Sequence, residues 1–145
     1  MNNRRHSLEA WLDEIKRDSK APAIGIFFIH NGIVRGTTSD GAAVCSLNLS
    51  YDAERLAEVI AQVEAMPGVA AARAWINEGN LPVGEDMICA LVAGDARKNV
   101  LVAWQTLVRR IKSEVITQQE TLVSPGLAQN KSDDVSDKPD WSLRR

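Results

Sequence analysis

One segment, residues 91–120, joins a buried strand to the longest helical pattern in the sequence. Apolar residues run up to a turn at Gly94-Asp95, and beyond the turn they recur at steps of three and four residues. The recurring residues are Val100, Leu101, Trp104, Leu107, Val108, Ile111 and Val115. This spacing puts them on one face of a helix. We predict that the helix starts after the turn and continues to Glu120.

Basic residues stand at both ends of this predicted helix. Arg97 lies at its start, where free backbone N–H groups favour anions. Arg109, Arg110 and Lys112 lie near the other end. A cation at each end of a buried helix points to an anion site, but the pattern does not identify the anion.

The rest of the chain alternates between helices and strands. We predict a helix capped by Ser7, with Leu8, Trp11, Leu12 and Ile15 on one face. Strands are predicted over residues 23–29, 44–49, 69–77 and 86–93, a helix over 52–66 and a loop over 78–85. The order α-β-β-α-β-β-α is typical of an α+β fold, a two-layer sandwich in which helices pack on a mainly antiparallel sheet.

Asn31-Gly32 is compatible with two local structures. The pair is a common hairpin turn, and it also fits a bulge within one long strand that resumes at Ile33. After residue 122 the sequence becomes polar. We therefore divide the chain into an N-terminal helix (1–20), a central domain (21–122) and a polar, flexible tail (123–145) in which Trp141 is expected to dock on a surface.

Charge and composition exclude several classes of function. The net charge of −2 argues against a general nucleic-acid binder, which needs a basic surface. Without a signal peptide or a membrane-length apolar run, the chain is predicted to be cytoplasmic and to have no membrane partner. Cys45 and Cys89 lie in strand-like segments and are predicted to be buried, reduced thiols. His30 is predicted to be structural, and neither a metal site nor a cofactor is predicted.

Three motifs occur in an order that resembles a known enzyme subunit. Gly32-Ile33-Val34-Arg35 resembles G-x-V-R, and residues 79–86 (GNLPVGED) resemble a G-x-L-x-x-G-[DE] turn. Gly94-Asp95-Ala96-Arg97, followed by a helix that carries Lys112, resembles S-x-H-R and a helix with L-K. Between about residues 23 and 120 the chain is thus similar to the large, catalytic subunit of molybdopterin synthase, the MoaE-like proteins.

The resemblance implies a sulfur-transfer reaction. Such subunits convert cyclic pyranopterin monophosphate into molybdopterin by adding two sulfurs as a dithiolene. The sulfur arrives as a thiocarboxylate on the C-terminal Gly-Gly tail of a small ubiquitin-like subunit, and that tail threads into a pocket of the large subunit. The complex is a heterotetramer built around a dimer of large subunits.

The resemblance also assigns roles to residues. It implies that Lys112 is catalytic, at the end of the threaded tail, and that Arg35 and Arg97 bind the anionic substrate. The chain departs from the family pattern at Ala96, where the family has a histidine, and in its lack of a Trp-Lys pair shortly after the helix. Gln118 and Gln119 stand in that second region, and one of them, with Gln118 assigned to the site, is expected to hydrogen-bond to substrate, although neither supplies a charge.

These departures leave two alternatives to an active synthase subunit. One is a catalytically impaired relative that acts as an anion-binding or regulatory dimer, and the other is an unrelated α+β dimer whose motifs match by chance. Arg97 and Lys112 are about 22 Å apart along one helix axis, too far to meet on one small ligand easily. We therefore hypothesise a two-fold dimer in which Arg97 reaches the neighbour's Lys112 pocket.

Overall fold

The computed structural model describes residues 8–123. The α-helices are Leu8–Arg17 (α1), Ala53–Glu64 (α2) and Arg97–Arg110 (α3). The strands are Ile26–Ile33 (β1), Val44–Tyr51 (β2), Val69–Ile76 (β3), Gly79–Pro82 (β4), Asp86–Gly94 (β5) and Ile116–Leu122 (β6). A 3-10 turn, Ala21–Ala23, precedes β1, and a π-helical turn, Ile111–Val115, joins α3 to β6.

The strands form two antiparallel sheets of three strands each. One sheet has the order β1-β5-β3 and the other has the order β4-β2-β6. Apolar faces of α2 and α3 pack with strands of both sheets into one main core. The predicted α+β class, with a mainly antiparallel sheet and packed helices, is confirmed.

The middle strand β5 is buried on both faces. Its alternate residues belong to two different core clusters, Ile88, Ala90 and Val92 to the main core and Cys89, Leu91 and Ala93 to a second one. The second cluster includes Trp11 and Ile15 of α1, which therefore braces the face opposite α2 and α3. Because both faces are covered, the strand has no polar alternation, which explains its continuous apolar run.

The helix predicted to follow the turn at Gly94-Asp95 and to end at Glu120 is too long. It ends as an α-helix at Arg110, continues as the π-helical turn, and gives way to β6, which pairs with β2. Ile111 and Val115 are both buried, so the step of four residues continues through the π turn and conceals the end of the helix. From Ile116 onward, pairing with β2 decides the conformation, and Gln118 therefore lies on a strand.

Three smaller predictions also need correction or resolution. Residues 78–85 are not only a loop, because the short strand β4 pairs with β2 there. Asn31-Gly32 is not a hairpin turn, since β1 runs through it and its register shifts between Gly32 and Ile33, as the bulge alternative predicts. Cys89 is buried as predicted, whereas Cys45 is exposed. The predicted Ser7 cap and Trp141 docking lie outside the described residues.

Candidate functional site

A cleft of about 420 Å³ opens where the end of β1 meets β2, β6 and the π-helical turn. Its lining residues are Ile33, Val34, Arg35, Val44, Leu47, Met87, Lys112, Ile116, Gln118 and Glu120. Both sheets contribute to it, so the cleft exists only when they pack together. Apolar side chains such as Val34 and Leu47 are buried at its base, while its charged residues are exposed.

Three of the four predicted site residues line this one cleft. Arg35 follows β1, Lys112 lies in the π-helical turn, and Gln118 lies on β6. The Nε of Arg35 donates a hydrogen bond to the backbone oxygen of Thr37 at 3.0 Å, which orients the guanidinium group. Within residues 8–123, neither Arg35 nor Lys112 forms an ion pair with a carboxylate. The cleft therefore offers an anionic ligand two cations that are not engaged in an ion pair.

Arg97 is not among the residues that line the cleft. It is exposed at the first residue of α3, at the opposite end of the helix from Lys112. Asp95 anchors this helix start by accepting hydrogen bonds from Asn99 at 3.0 Å and from the backbone N–H of Ala96 at 2.6 Å. The Asn99 bond, helped by that from Ala96, lowers the pKa of Asp95. Within one chain, Arg97 is therefore separate from the other predicted residues.

Glu120 is a cleft residue that the sequence analysis missed. It lines the cleft together with Ile116 and Gln118, at alternate positions of β6. Alternate residues of a strand point to the same side. Had the segment been interpreted as a strand, the spacing of Gln118 and Glu120 would have placed both side chains together. The site thus holds one carboxylate beside its two cations.

His30 lies on β1 close to the cleft. Burial lowers its pKa, and the positive charge of Lys112 lowers it further, which favours the neutral imidazole at neutral pH. Its Nε2 atom is buried and has no hydrogen-bond partner among the described residues. The ring lies 6.3 Å from that of Trp104, measured between centroids. His30 was predicted to be structural, and its closeness to Lys112 could not be inferred from sequence separation.

A network of charged side chains links the turn that carries Lys112 to α2 and α3. Glu114 accepts hydrogen bonds from Arg110 of α3 and from Arg55 of α2. The bonds from Arg110, and to a smaller degree the charge of Arg55, lower the pKa of Glu114 to about 2. The guanidinium group of Arg110 is committed to this network and to Gln62.

Residues 8–123 contain neither a metal-binding cluster nor a membrane-spanning helix. No group of three or more His, Cys, Asp or Glu side chains in this range is arranged to hold a metal ion. Over the same residues, none of the helices has the length and apolar character needed to cross a membrane.

Comparison with known proteins decides the family. The sequence model of the family described as MoaE protein matches residues 3–114 of this chain. The chain belongs to the MoaE family. The match begins closer to the N-terminus than the segment with the three motifs, and it rules out the alternative of a chance resemblance. A comparison with curated proteins finds no match.

Solved structures with the same fold agree with this assignment. Molybdopterin synthase from Staphylococcus aureus is 20% identical in sequence and has a TM-score of 0.61. The alignment covers 70% of this chain and 77% of the chain in that structure. Molybdopterin cofactor biosynthesis protein E from Burkholderia multivorans is 16% identical with a TM-score of 0.64, covering 86% and 91%. A complex of subunits 1 and 2 of molybdopterin-converting factor from Helicobacter pylori gives 17% identity and a TM-score of 0.60, covering 81% and 80%. Membership of the MoaE family indicates a role in molybdopterin biosynthesis.

Proposed function

We propose that this protein is the large subunit of a molybdopterin synthase. In this role it transfers sulfur from a thiocarboxylated small ubiquitin-like subunit to cyclic pyranopterin monophosphate. The observation that carries the proposal is the convergence of Arg35, Lys112 and Gln118 in one cleft whose two cations lack carboxylate partners among residues 8–123. The partner, the pterin substrate and a cytoplasmic location are parts of this proposal.

The cleft suits the two anions of the reaction. A thiocarboxylate and a phosphate both carry negative charge, and Arg35 can bind a phosphate with two parallel hydrogen bonds. The apolar base formed by residues such as Leu47 and Met87 favours contact with an extended glycine tail over bulk water. Gln118 supplies an amide that donates and accepts hydrogen bonds to the pterin.

Each sulfur transfer is balanced without an oxidant. The thiocarboxylate sulfur forms a C–S bond to a side-chain carbon of the pterin while a C–O bond at that carbon breaks, and the displaced oxygen leaves on the phosphate or as water. Water then cleaves the acyl C–S bond. The sulfur stays on the pterin and the small subunit leaves as a carboxylate, so two small subunits supply the dithiolene. Lys112 stabilises the negative charge on the acyl oxygen as water adds, or donates a proton to it.

A reconstituted reaction tests this function. The purified chain, cyclic pyranopterin monophosphate and a thiocarboxylated small subunit are expected to form a dithiolene product, detected by mass spectrometry. The matched control is the same small subunit with an ordinary C-terminal carboxylate, which carries no sulfur and should give no product. Absence of product under conditions in which an active large subunit from another source works would contradict the proposal.

The second candidate is a catalytically impaired relative that acts as an anion-binding or regulatory dimer. Ala96 and the absence of the second lysine favour it, because the chain has no residue that could carry charge at either of these two family positions. In the same experiment this candidate predicts that the small subunit binds without turnover. Calorimetric titration of the small subunit, run beside the product assay, separates the two functions.

Arg97 enters the proposal through a dimer. It is exposed, it lies one helix length from the cleft, and it forms no ion pair within residues 8–123. We infer that it completes the cleft of a two-fold partner, so that each site uses Arg97 of one subunit and Lys112 of the other.

Mixed dimers provide the test of a shared site. Lys112→Ala and Arg97→Ala subunits are each expected to be nearly inactive, whereas co-refolded mixtures should recover about a quarter of wild-type turnover. This fraction follows because random mixing makes half of the dimers mixed, and each mixed dimer has one site with both residues intact. Turnover of the mixture no greater than the average of the two variants would exclude a shared site.

A further inference from the structure

We propose that Glu114 is a positioning residue that holds Lys112 in the cleft. It does so by tying the π-helical turn to α2 and to the end of α3. This inference rests on the proposed function for its catalytic consequence, although the mechanical part can be measured without it. Glu114 itself is not among the residues that line the cleft.

The contacts of Glu114 reach two different helices. Its Oε1 accepts from Nη2 of Arg55 at 2.8 Å and from Nη2 of Arg110 at 2.9 Å. Its Oε2 accepts from Nε of Arg110, also at 2.9 Å, so the Arg110 contact is bidentate. Arg110 is further held by its bond to Gln62 of α2 at 2.6 Å. Bidentate geometry within a network is the case in which a surface ion pair contributes to order.

The buried side chains of the π-helical turn lie at its two ends. Ile111 and Val115 are buried, and the N–H of Ile116 bonds to the oxygen of Ile111 across the turn. At the far end, the N–H of Asp52 donates to the oxygen of Val115 at 3.0 Å. Lys112, Ser113 and Glu114 lie between these anchors and are all exposed. Among them, Glu114 is the residue whose side chain reaches another helix in the described contacts.

The hydrogen bonds of Glu114 also restrict the position of Lys112, because both residues belong to the same short turn. Residues two apart on a helical turn do not face each other, and here Lys112 lines the cleft while Glu114 points to Arg55. A π-helical turn is a rare, irregular element that occurs often at functional sites. Fixing Glu114 on one side therefore limits how far the turn can rotate and where the lysine amine lies on the other.

The expected effect is on turnover more than on binding. A small displacement of a catalytic group reduces its stabilisation of the transition state, because the group must lie within about half an ångström of its productive position. We expect Glu114→Gln to lower kcat about 10-fold, while KM for the thiocarboxylated small subunit changes by less than about 2-fold. The substitution keeps the size of the side chain and removes its charge.

Glu58→Gln is the matched control. Glu58 accepts from Nη1 of Arg55 at 2.8 Å, but it does not belong to the turn. The same carboxylate-to-amide change there should leave kcat within about 2-fold of wild type. Hydrogen exchange of the amides of residues 111–116 should be faster in Glu114→Gln and unchanged in Glu58→Gln.

A double-mutant cycle separates positioning from a general structural effect. If Glu114 acts through Lys112, then adding Glu114→Gln to Lys112→Ala should cause no further loss of kcat, because the group being positioned is already absent. If the two losses multiply, Glu114 acts by some other route and the proposal is overturned. Unchanged kcat in the single Glu114→Gln variant would overturn it as well.

Failure of the proposed function has a different signature. In that case the wild-type protein gives no dithiolene product, and the kinetic comparison cannot be made. The rate at which an acylating reagent modifies the amine of Lys112 then provides the measurement. We expect this rate to differ from wild type in Glu114→Gln and to match it in Glu58→Gln. Equal rates in all three proteins would overturn the positioning role itself.

Acid provides an independent check that the ion pairs exist. The pKa of Glu114 is lowered to about 2 from an ordinary value of 4.5. A lowered folded-state pKa means that the stabilising effect is complete above pH 4.5 and is lost as the pH falls towards 2. The thermal midpoint of wild type should therefore exceed that of Glu114→Gln at neutral pH, and the difference should disappear on acidification through that range.

Discussion

Replacing Lys112 with alanine is expected to lower the turnover of sulfur transfer by about 100-fold or more. The amine stabilises charge on the acyl group or donates a proton, and alanine can do neither. Lys112 is exposed and makes no ion pair within residues 8–123, so the fold should survive the change. Product formation under single-turnover conditions measures the loss, and circular dichroism checks the fold.

Arg109→Ala is the appropriate control for Lys112→Ala. Arg109 is an exposed cation in the last turn of α3, and it does not line the cleft. Replacing Arg109 with alanine removes one positive charge, as Lys112→Ala does. Because Arg109 lies outside the cleft, this change should leave turnover near the wild-type value. Lys112→Arg distinguishes the two chemical roles, since arginine keeps the charge but is a very poor proton donor. Undiminished turnover in Lys112→Ala would refute its catalytic role while leaving the family assignment intact.

The cleft was partly predictable because its cations belong to recognisable motifs. Arg35 and Lys112 could be paired only through the family resemblance, since 77 positions separate them and local patterns say nothing about contacts at that range. The continuous apolar run of β5 predicted a buried strand, and in the structure α1, α2 and α3 cover its two faces. These features depend on patterns that extend over many residues.

The parts that escaped prediction depend on pairing between distant segments. β4 has four residues and forms because β2 offers it a partner, which no local propensity reveals. The end of α3 was hidden because Ile111 and Val115 keep the helical spacing inside a π-helical turn. Predicting a helix in place of β6 also meant that Glu120 was not identified as a site residue, because its position in the cleft depends on the alternation of side chains along that strand.

Replacing Gly94 with alanine is expected to destabilise the protein by about 3 kcal/mol. Gly94 ends β5, where its oxygen accepts from the N–H of Gly25 at 2.7 Å. A Cβ at this position would overlap the backbone oxygen of Gly68 and would press on Val100. Backbone atoms cannot move aside as a flexible side chain can, so the junction between β5 and α3 must shift. Urea unfolding followed by fluorescence measures the loss in the free energy of unfolding.

Gly36→Ala is the control for this prediction, since a Cβ there would meet only Val83 at an ordinary contact distance of 3.5 Å. Its free energy of unfolding should stay within about 0.5 kcal/mol of wild type. A loss below about 1 kcal/mol in Gly94→Ala would show that the junction relaxes around the added methyl group.

The junction between β5 and α3 matters to the site because it fixes the origin of α3, which starts at Arg97 and leads into the turn carrying Lys112. A shift at Gly94 should therefore reduce turnover in any Gly94→Ala protein that remains folded, because both functional ends of the helix move with it.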